Sequence, residues 1–284
     1  MNPRVALVTG ASSGIGLDTA RYLAEAGFVT YAAARRVDRM AALRAHGVRV
    51  LPLDLTDDAS IQACAETIRS ESGGVDVLVN NAGYGAYGAL EEVPLAEARR
   101  QFEVNLFGLA RLTQLVIPYM RERRWGRIIN VSSIGGVMAT PYGGWYHATK
   151  FALEGYSTAL RQELAPFGIG VAVIRPAGTQ SEWGQIATAS LQRVSGSGPY
   201  RAAVGALMEA FSKGAGSPRM VVPASAIAEL IRRAATDARP RTVYAPGLAR
   251  VFLFVRWLLS DRAHDALLRM MFRLPKVMGR PGEA

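Results

Sequence analysis

A half-apolar chain of 284 residues is long enough to build one sizeable α/β core. Its single cysteine, Cys64, excludes an internal disulfide framework and fits a reducing compartment, and three scattered histidines (His46, His147, His264) give no metal-ligand spacing, so no metal is expected. The net charge of +10 would suit a nucleic acid, but the arginines are spread along the whole chain with no helix-turn-helix, zinc knuckle or aromatic-basic platform, so no nucleic-acid partner is expected.

Met1-Asn2-Pro3-Arg4 leads at once into residues 5–8, a short buried strand, which leaves no room for a signal peptide and makes the cytoplasm the expected location. Thr9-Gly10-Ala11-Ser12-Ser13-Gly14-Ile15-Gly16 comes next, before a helical stretch over 17–26. In this strand, turn and helix order, glycines let the backbone approach a pyrophosphate whose charge is met by amide groups and the positive helix end. The spacing, Gly-x-x-x-Gly-x-Gly, differs from the Gly-x-Gly-x-x-Gly fingerprint of the commoner dinucleotide folds. A second strand over 29–34 ends in Arg35-Arg36, where an NAD-preferring site carries an acid. Two guanidinium groups there suit a 2′-phosphate and imply NADP(H) in preference to NAD(H).

Further strands are expected over 48–53, 75–79, 127–131, 170–174 and 242–245, with helices over 37–45, 60–70, 95–122 and 146–165. This alternation argues for α/β architecture with parallel strands, and neither a repeat nor a low-complexity linker divides the chain. Within the last of these helices, Tyr146 and Lys150 stand at i and i+4 and share one face. A cation beside the phenol would stabilise its phenolate, making a proton donor with an ordinary pKa of about 10 usable nearer neutrality. Ser133 lies thirteen residues upstream of Tyr146, at the end of an apolar run.

Taken together, the glycine loop, Asn80-Asn81-Ala82-Gly83, Asn105 within Val104-Asn105-Leu106-Phe107-Gly108, Ser133 and Tyr146-x-x-x-Lys150 resemble the short-chain dehydrogenase/reductase family over about residues 3–250. The resemblance implies a doubly wound parallel sheet with helices on both faces and a nicotinamide cofactor across the carboxyl edge of its strands. It places the cofactor against Gly10, Ser12, Ser13, Gly14, Ile15 and Gly16, the adenine edge against Asp54 and Leu55, and further contacts at Asn81, Ala82 and Gly83. Tyr146 would exchange a proton with a substrate oxygen while hydride is transferred, Ser133 would hold that oxygen, Lys150 would also grip the nicotinamide ribose, and Asn105 would support Lys150 through water. Pro176, Gly178, Thr179 and Ser181 would orient the carboxamide, although Ala177 replaces the family's usual glycine. The implied activity is interconversion of a carbonyl and an alcohol. A non-catalytic NADP-binding sensor is the alternative, against which the intact Ser133, Tyr146 and Lys150 set argues. The family's habit of pairing through the helices over 95–122 and 146–165 implies a homodimer or homotetramer.

Substrate choice is expected in a lid over about 182–225, where Gly196, Gly198, Gly214 and Gly216 bracket a helical segment over 200–211. Tyr84, Tyr87, Met138, Tyr142, Trp145 and Trp183 are expected to line an apolar pocket for a hydrophobic alcohol or ketone, such as a steroid, retinoid or long-chain lipid. Residues 1–250 would form the main domain, with 251–284 as an amphipathic helical extension. Arg256, Arg262, Arg269 and Arg273 interrupt that extension too often for a membrane-spanning helix. It would pack on the substrate face or a partner subunit, or rest peripherally on a membrane.

Overall fold

Strands that are apolar on both faces belong inside a sheet covered on two sides. In the computed structural model, which describes residues 3–180, 182–210, 221–272 and 274, the strands of this chain take that position. They are β1 (Val5–Thr9), β2 (Val29–Ala34), β3 (Arg49–Pro52), β4 (Val77–Asn80), β5 (Gly126–Val131), β6 (Ile169–Ile174), β7 (Gly178–Gln180), β8 (Val221–Pro223) and β9 (Val243–Tyr244). Seven form one sheet in the order β3-β2-β1-β4-β5-β6-β9, with every neighbouring pair parallel. β7 and β8 make a separate parallel pair.

The helices are α1 (Gly14–Glu25), α2 (Asp58–Ser72), α3 (Leu95–Phe102), α4 (Gly108–Glu122), α5 (Gly144–Leu164), α6 (Glu182–Ser195), α7 (Arg201–Ala210), α8 (Ala224–Thr236), α9 (Gly247–Leu258) and α10 (Asp261–Met271). Alternate residues of each strand supply opposite cores, as a period of two requires. Ala6, Val8, Val77, Val79 and Ile129 pack with Leu23 of α1 and Ile227 and Ile231 of α8. Leu7, Tyr31, Leu78, Ile128 and Val171 pack with Ile68 of α2, Met120 of α4 and Leu164 of α5. The chain is thus a single α/β domain of the expected doubly wound kind. Strand order reverses between β1 and β4, so the loops leaving those strands diverge and open a crevice at the carboxyl edge.

Four elements differ from expectation. The helix expected over 37–45 is a 3₁₀ helix, Asp38–His46, whose buried Met40 and Leu43 are three apart and so recur once per turn of that tighter helix. The long helix expected over 95–122 is broken into α3 and α4 by a π-helical turn, Glu103–Phe107, that holds Asn105 fully buried. Gly108 follows, and a β-carbon there would collide with the backbone of Leu55. Residues 182–225 contain two described helices, α6 and α7, where one was expected, and Phe211, Gly214 and Gly216 lie outside the described residues. The extension is likewise two helices, α9 and α10, parted at Ser260, whose side chain caps α10 by accepting from the Ala263 amide. Arg273 and 275–284 lie outside the described residues.

Candidate active site

The glycine loop is shaped by backbone contacts that side chains would forbid. Gly10 has φ +66° and Gly14 φ +53°, both in the left-handed region. A β-carbon on Gly10 would stand 2.7 Å from Cα of Ala82, and one on Gly16 would stand 2.5 Å from the Gly10 oxygen. Asn81 clips the loop from across the switch point: its Nδ2 donates to the carbonyls of Thr9 (2.9 Å) and Gly10 (3.3 Å). The amides of Asn81 and Ala82 both donate to Thr9 Oγ1, at 3.0 and 3.1 Å. Ser13, at the cap position of α1, makes no side-chain cap bond, and the first turn carries no acidic residue. The first-turn amides therefore have no side-chain cap, which suits a phosphate anion.

From this loop a cavity of about 1090 Å³ runs along the carboxyl edge of the sheet. It is lined by Gly10, Ser12, Ser13, Gly14, Ile15, Arg35, Arg36, Asp54, Leu55, Asn81, Ala82, Gly83, Ser133, Tyr146, Lys150, Pro176, Gly178 and Thr179. Gly16 supports the loop from behind, and Ser181 lies outside the described residues. Such a cradle, with tight glycines, an uncapped helix start and basic side chains, fits a phosphorylated dinucleotide. Ala177, in place of the family's usual glycine, has no positive φ, and the neighbouring Pro176 carbonyl accepts from the Ile134 amide at 2.9 Å.

Asp54 anchors the middle of the crevice. Burial works against its ionisation, but two bonds from Thr56 (2.8 and 2.9 Å) and the charges of Arg35 and Arg100 hold its carboxyl below the usual range. Arg36 reaches Ser12 Oγ at 3.3 Å and so joins the second strand to the glycine loop. It also reaches Glu182 Oε2 at 3.3 Å, and Arg39 binds the same carboxylate at 2.8 and 2.9 Å. Neither Arg39 nor Glu182 was anticipated, because only the fold brings the start of α6 to this edge.

The proton-transfer set gathers beyond Gly83. Ser133, on the loop after β5, has extended backbone and accepts from the Gly135 amide at 3.0 Å. Its hydroxyl also lies close enough to the Tyr146 phenol to favour the ionised form of that ring. Lys150 is buried one turn further along α5, with Nζ donating to the Val131 carbonyl at 2.8 Å and standing 5.9 Å from the Tyr146 ring centre. Burial pushes the Lys150 ammonium down to about 8, opposed by the nearby charge of Glu154. Glu154 is itself held by a two-pronged ion pair with Arg175, both bonds 2.9 Å. The expected lowering of the Tyr146 pKa is not what this pocket produces. Full burial pushes the phenol up to about 12, and the Ser133 contact only partly offsets it.

Asn105 sits behind this group and does not line the cavity. Its Oδ1 accepts from the Tyr84 amide at 3.1 Å, and its Nδ2 donates to the Tyr84 carbonyl (2.9 Å) and Thr149 Oγ1 (3.1 Å). The side chain thus ties the loop after Gly83 to the buried face of α5. His147 fastens the opposite wall: Nδ1 donates to the Gly135 carbonyl at 3.0 Å, and Nε2 accepts from the Thr140 amide at 3.1 Å. Because the amide can only donate, the ring is neutral with its proton on Nδ1.

Toward the far end the cavity becomes aromatic. Trp183 of α6 lies 4.9 Å from the Tyr146 ring and 5.8 Å from Tyr87, edge to face with the latter. Tyr84, Met138, Leu191, Met208 and Phe272 complete this chamber. Two of the expected lining residues are elsewhere. Trp145 is turned toward Phe102, 6.5 Å between ring centres, since adjacent residues on a helix point about 100° apart. Tyr142 packs edge to face on Tyr200 at 5.9 Å, and its φ of +65° shows a strained turn just before α5. Phe272, from the extension, could not be found by local spacing.

Comparison with known proteins agrees with this construction. A family model described as short chain dehydrogenase matches residues 4–191. A protein from Bacteroides thetaiotaomicron named 3-ketodihydrosphingosine reductase is 47% identical over 176 residues, which span 62% of this chain and 64% of that relative. The match thus covers just under two thirds of that relative's length. A short-chain dehydrogenase from Streptomyces avermitilis is similar in structure over 96% of this chain and 98% of its own, with TM-score 0.75 and 32% identity. A single-substitution variant of actinorhodin polyketide ketoreductase, solved with NADPH, is similar over 86% of this chain and 95% of its own, with TM-score 0.72 and 29% identity. This chain belongs to the short-chain dehydrogenase/reductase family and is an NAD(P)-dependent oxidoreductase.

Proposed function

We propose that this enzyme interconverts a carbonyl and an alcohol on a hydrophobic substrate, using NADP(H) in preference to NAD(H). The observation that carries the reading is one continuous cavity with the glycine loop and two arginines at one end, Tyr146 and Ser133 at its middle, and an aromatic chamber beyond them. The glycine-loop amides would hold the pyrophosphate, Asp54 and Leu55 the adenine side, Arg35 and Arg36 a 2′-phosphate, Lys150 a ribose, and the backbone of Pro176 to Thr179 the carboxamide. Hydride is what the bound nicotinamide cofactor contributes or takes up. Every other task falls to the chain.

In the direction of reduction, Tyr146 gives its proton to the substrate oxygen, and Ser133 Oγ holds that oxygen as charge develops on it. A phenol pushed up to about 12 is fully protonated at neutral pH and so is loaded for this direction. Lys150, a cation below about 8, keeps positive charge near the ring. Asn105 acts as a positioning residue through Tyr84 and Thr149. The chamber of Tyr87, Met138, Trp183, Leu191 and Phe272 suits a long apolar chain or ring system, a substrate class that also fits the keto-lipid named for the Bacteroides relative.

Pairing of two copies through α4 and α5 is proposed from the family's habit and from Phe107 and Phe151, exposed by 54% and 47% beside these helices. No helix among the described residues is long and apolar enough to cross a membrane. The stacked Phe254 and Trp257 of α9, exposed by 59% and 78%, are proposed to touch a membrane surface peripherally from the cytoplasmic side.

The deciding experiment follows NADPH and NADH consumption with long-chain, steroid and retinoid carbonyls and with small polar ones. NADPH-dependent turnover of the bulky apolar compounds is expected. Turnover of polar compounds alone would reject the substrate class, and tight NADPH binding without any turnover would favour a cofactor sensor.

A further inference from the structure

We propose that Glu182 is a specificity-determining residue for the cofactor: its carboxylate occupies the guanidinium groups of Arg36 and Arg39, so that a 2′-phosphate displaces it and an unphosphorylated ribose does not. This rests on the NADP(H) reading given above. Glu182 is the first residue of α6, and its two oxygens engage Arg39 in a fork at 2.8 and 2.9 Å. The same carboxylate takes the Arg36 guanidinium at 3.3 Å, while that nitrogen also reaches Ser12 of the glycine loop at 3.3 Å. A negatively charged group therefore already sits where the basic edge of the second strand meets the phosphate-binding loop.

The competition is one of like for like. A carboxylate offers two acceptor oxygens to a guanidinium fork, and a phosphate offers three with more charge. An ionised 2′-phosphate brought beside Arg36 both outcompetes Glu182 for donors and repels it. A ribose hydroxyl does neither, and so leaves the Glu182 ion pairs in place. Glu182 thus holds NADP(H) affinity below what the arginines alone would give, and leaves NAD(H) untouched.

The consequence extends to the substrate end through one turn of helix. Trp183 follows Glu182 directly and packs 4.9 Å from the Tyr146 ring. Release of Glu182 frees the turn that carries this indole, so occupation of the phosphate site biases the wall of the substrate chamber. A ligand shifts such an equilibrium only by its differential affinity for the two states, and displacement of a carboxylate supplies that difference.

The test measures binding of adenosine 2′,5′-bisphosphate and of 5′-AMP by calorimetry to the wild type, Glu182→Gln and the double variant Arg36→Gln, Arg39→Gln. Glu182→Gln is expected to tighten the bisphosphate by roughly three- to tenfold, the scale of two exposed ion pairs released, with 5′-AMP unchanged. Unchanged or weakened bisphosphate binding in Glu182→Gln, alongside a clear loss in the double arginine variant, would overturn the role of Glu182 and leave the NADP(H) reading standing. Wild-type bisphosphate affinity in the arginine variant would overturn the role of Glu182 and leave Arg35 as the one residue of the NADP(H) reading able to meet the 2′-phosphate.

Discussion

The two ends of the cavity are built on different principles. At the cofactor end the contacts run onto the backbone: Gly10 lies against Ala82, Gly16 against the Gly10 carbonyl, and the Asn81 side-chain amide donates to the carbonyls of Thr9 and Gly10. At the substrate end the walls are side chains from α6, α7 and the end of α10, which pack on one another and on Tyr146 outside the main sheet. A backbone cradle fixes one ligand shape and tolerates little change. A wall of apolar side chains sets a volume and can be refitted by substitution, which is how one fold comes to serve many substrates.

The sharpest way to break this contrast lies at the junction of the two ends. Tyr146→Phe removes the proton and nothing else, so kcat/KM should fall by about 10²- to 10⁴-fold, while the NADPH Kd from fluorescence titration stays close to wild type. A comparable loss of cofactor affinity would mean that the phenol belongs to the cradle. Next in size, converting Arg35 and Arg36 together to Asp should weaken NADPH by about ten- to a hundredfold, with NADH much less affected. Equal losses for both cofactors would point to damage to the loop through the Arg36 contact with Ser12. At the other end, Trp183→Ala should raise KM for long-chain ketones by roughly tenfold and leave small carbonyls alone, and any change in NADPH affinity measures the reciprocal coupling of the two ends through Glu182.

The smallest effect concerns charge. Lys150 is pushed down to about 8, so its positive charge is present below that pH and lost above it. A reduction rate that depends on this cation should fall as pH rises through about 8. Glu154 opposes the depression, so Glu154→Gln should move this limb of the pH profile to lower pH. A limb that stays in place would assign it to another group.

Local signals in the chain were enough for the cofactor end. The glycine spacing and the apolar runs of β1, β2 and β5 need only neighbours in sequence, and the positions of Ser133, Tyr146 and Lys150 followed from the motifs and their resemblance to a family. What escaped was set by distance or by rotation about a helix. Glu182 meets Arg39 across 143 residues, and Ser195 Oγ accepts from the Ala89 amide across 106. The buried chain of Asn80, Asn130 and Ser157, with bonds of 2.9 and 2.8 Å, ties β4 and β5 to α5 beneath the site, and of its three members only Asn80 falls in a motif. Trp145 was assigned to the cleft by proximity to Tyr146, but one residue along a helix is a different face. The π turn at Asn105 was hidden because its residues read as ordinary helix formers.

His147 gives the site an acid limit that no catalytic group would impose. Its ring bonds the Thr140 amide, on the loop bearing Met138, only while uncharged, since protonated Nε2 can no longer accept from that amide. Burial holds its pKa below the usual imidazole value, with the Gly135 carbonyl partly opposing. The unfolded chain therefore binds this proton more readily, so the stability it contributes is lost as pH falls through the range below an ordinary histidine's pKa. In mild acid, the wall of the substrate chamber would lose this bond while Tyr146 and Ser133 still carry their protons.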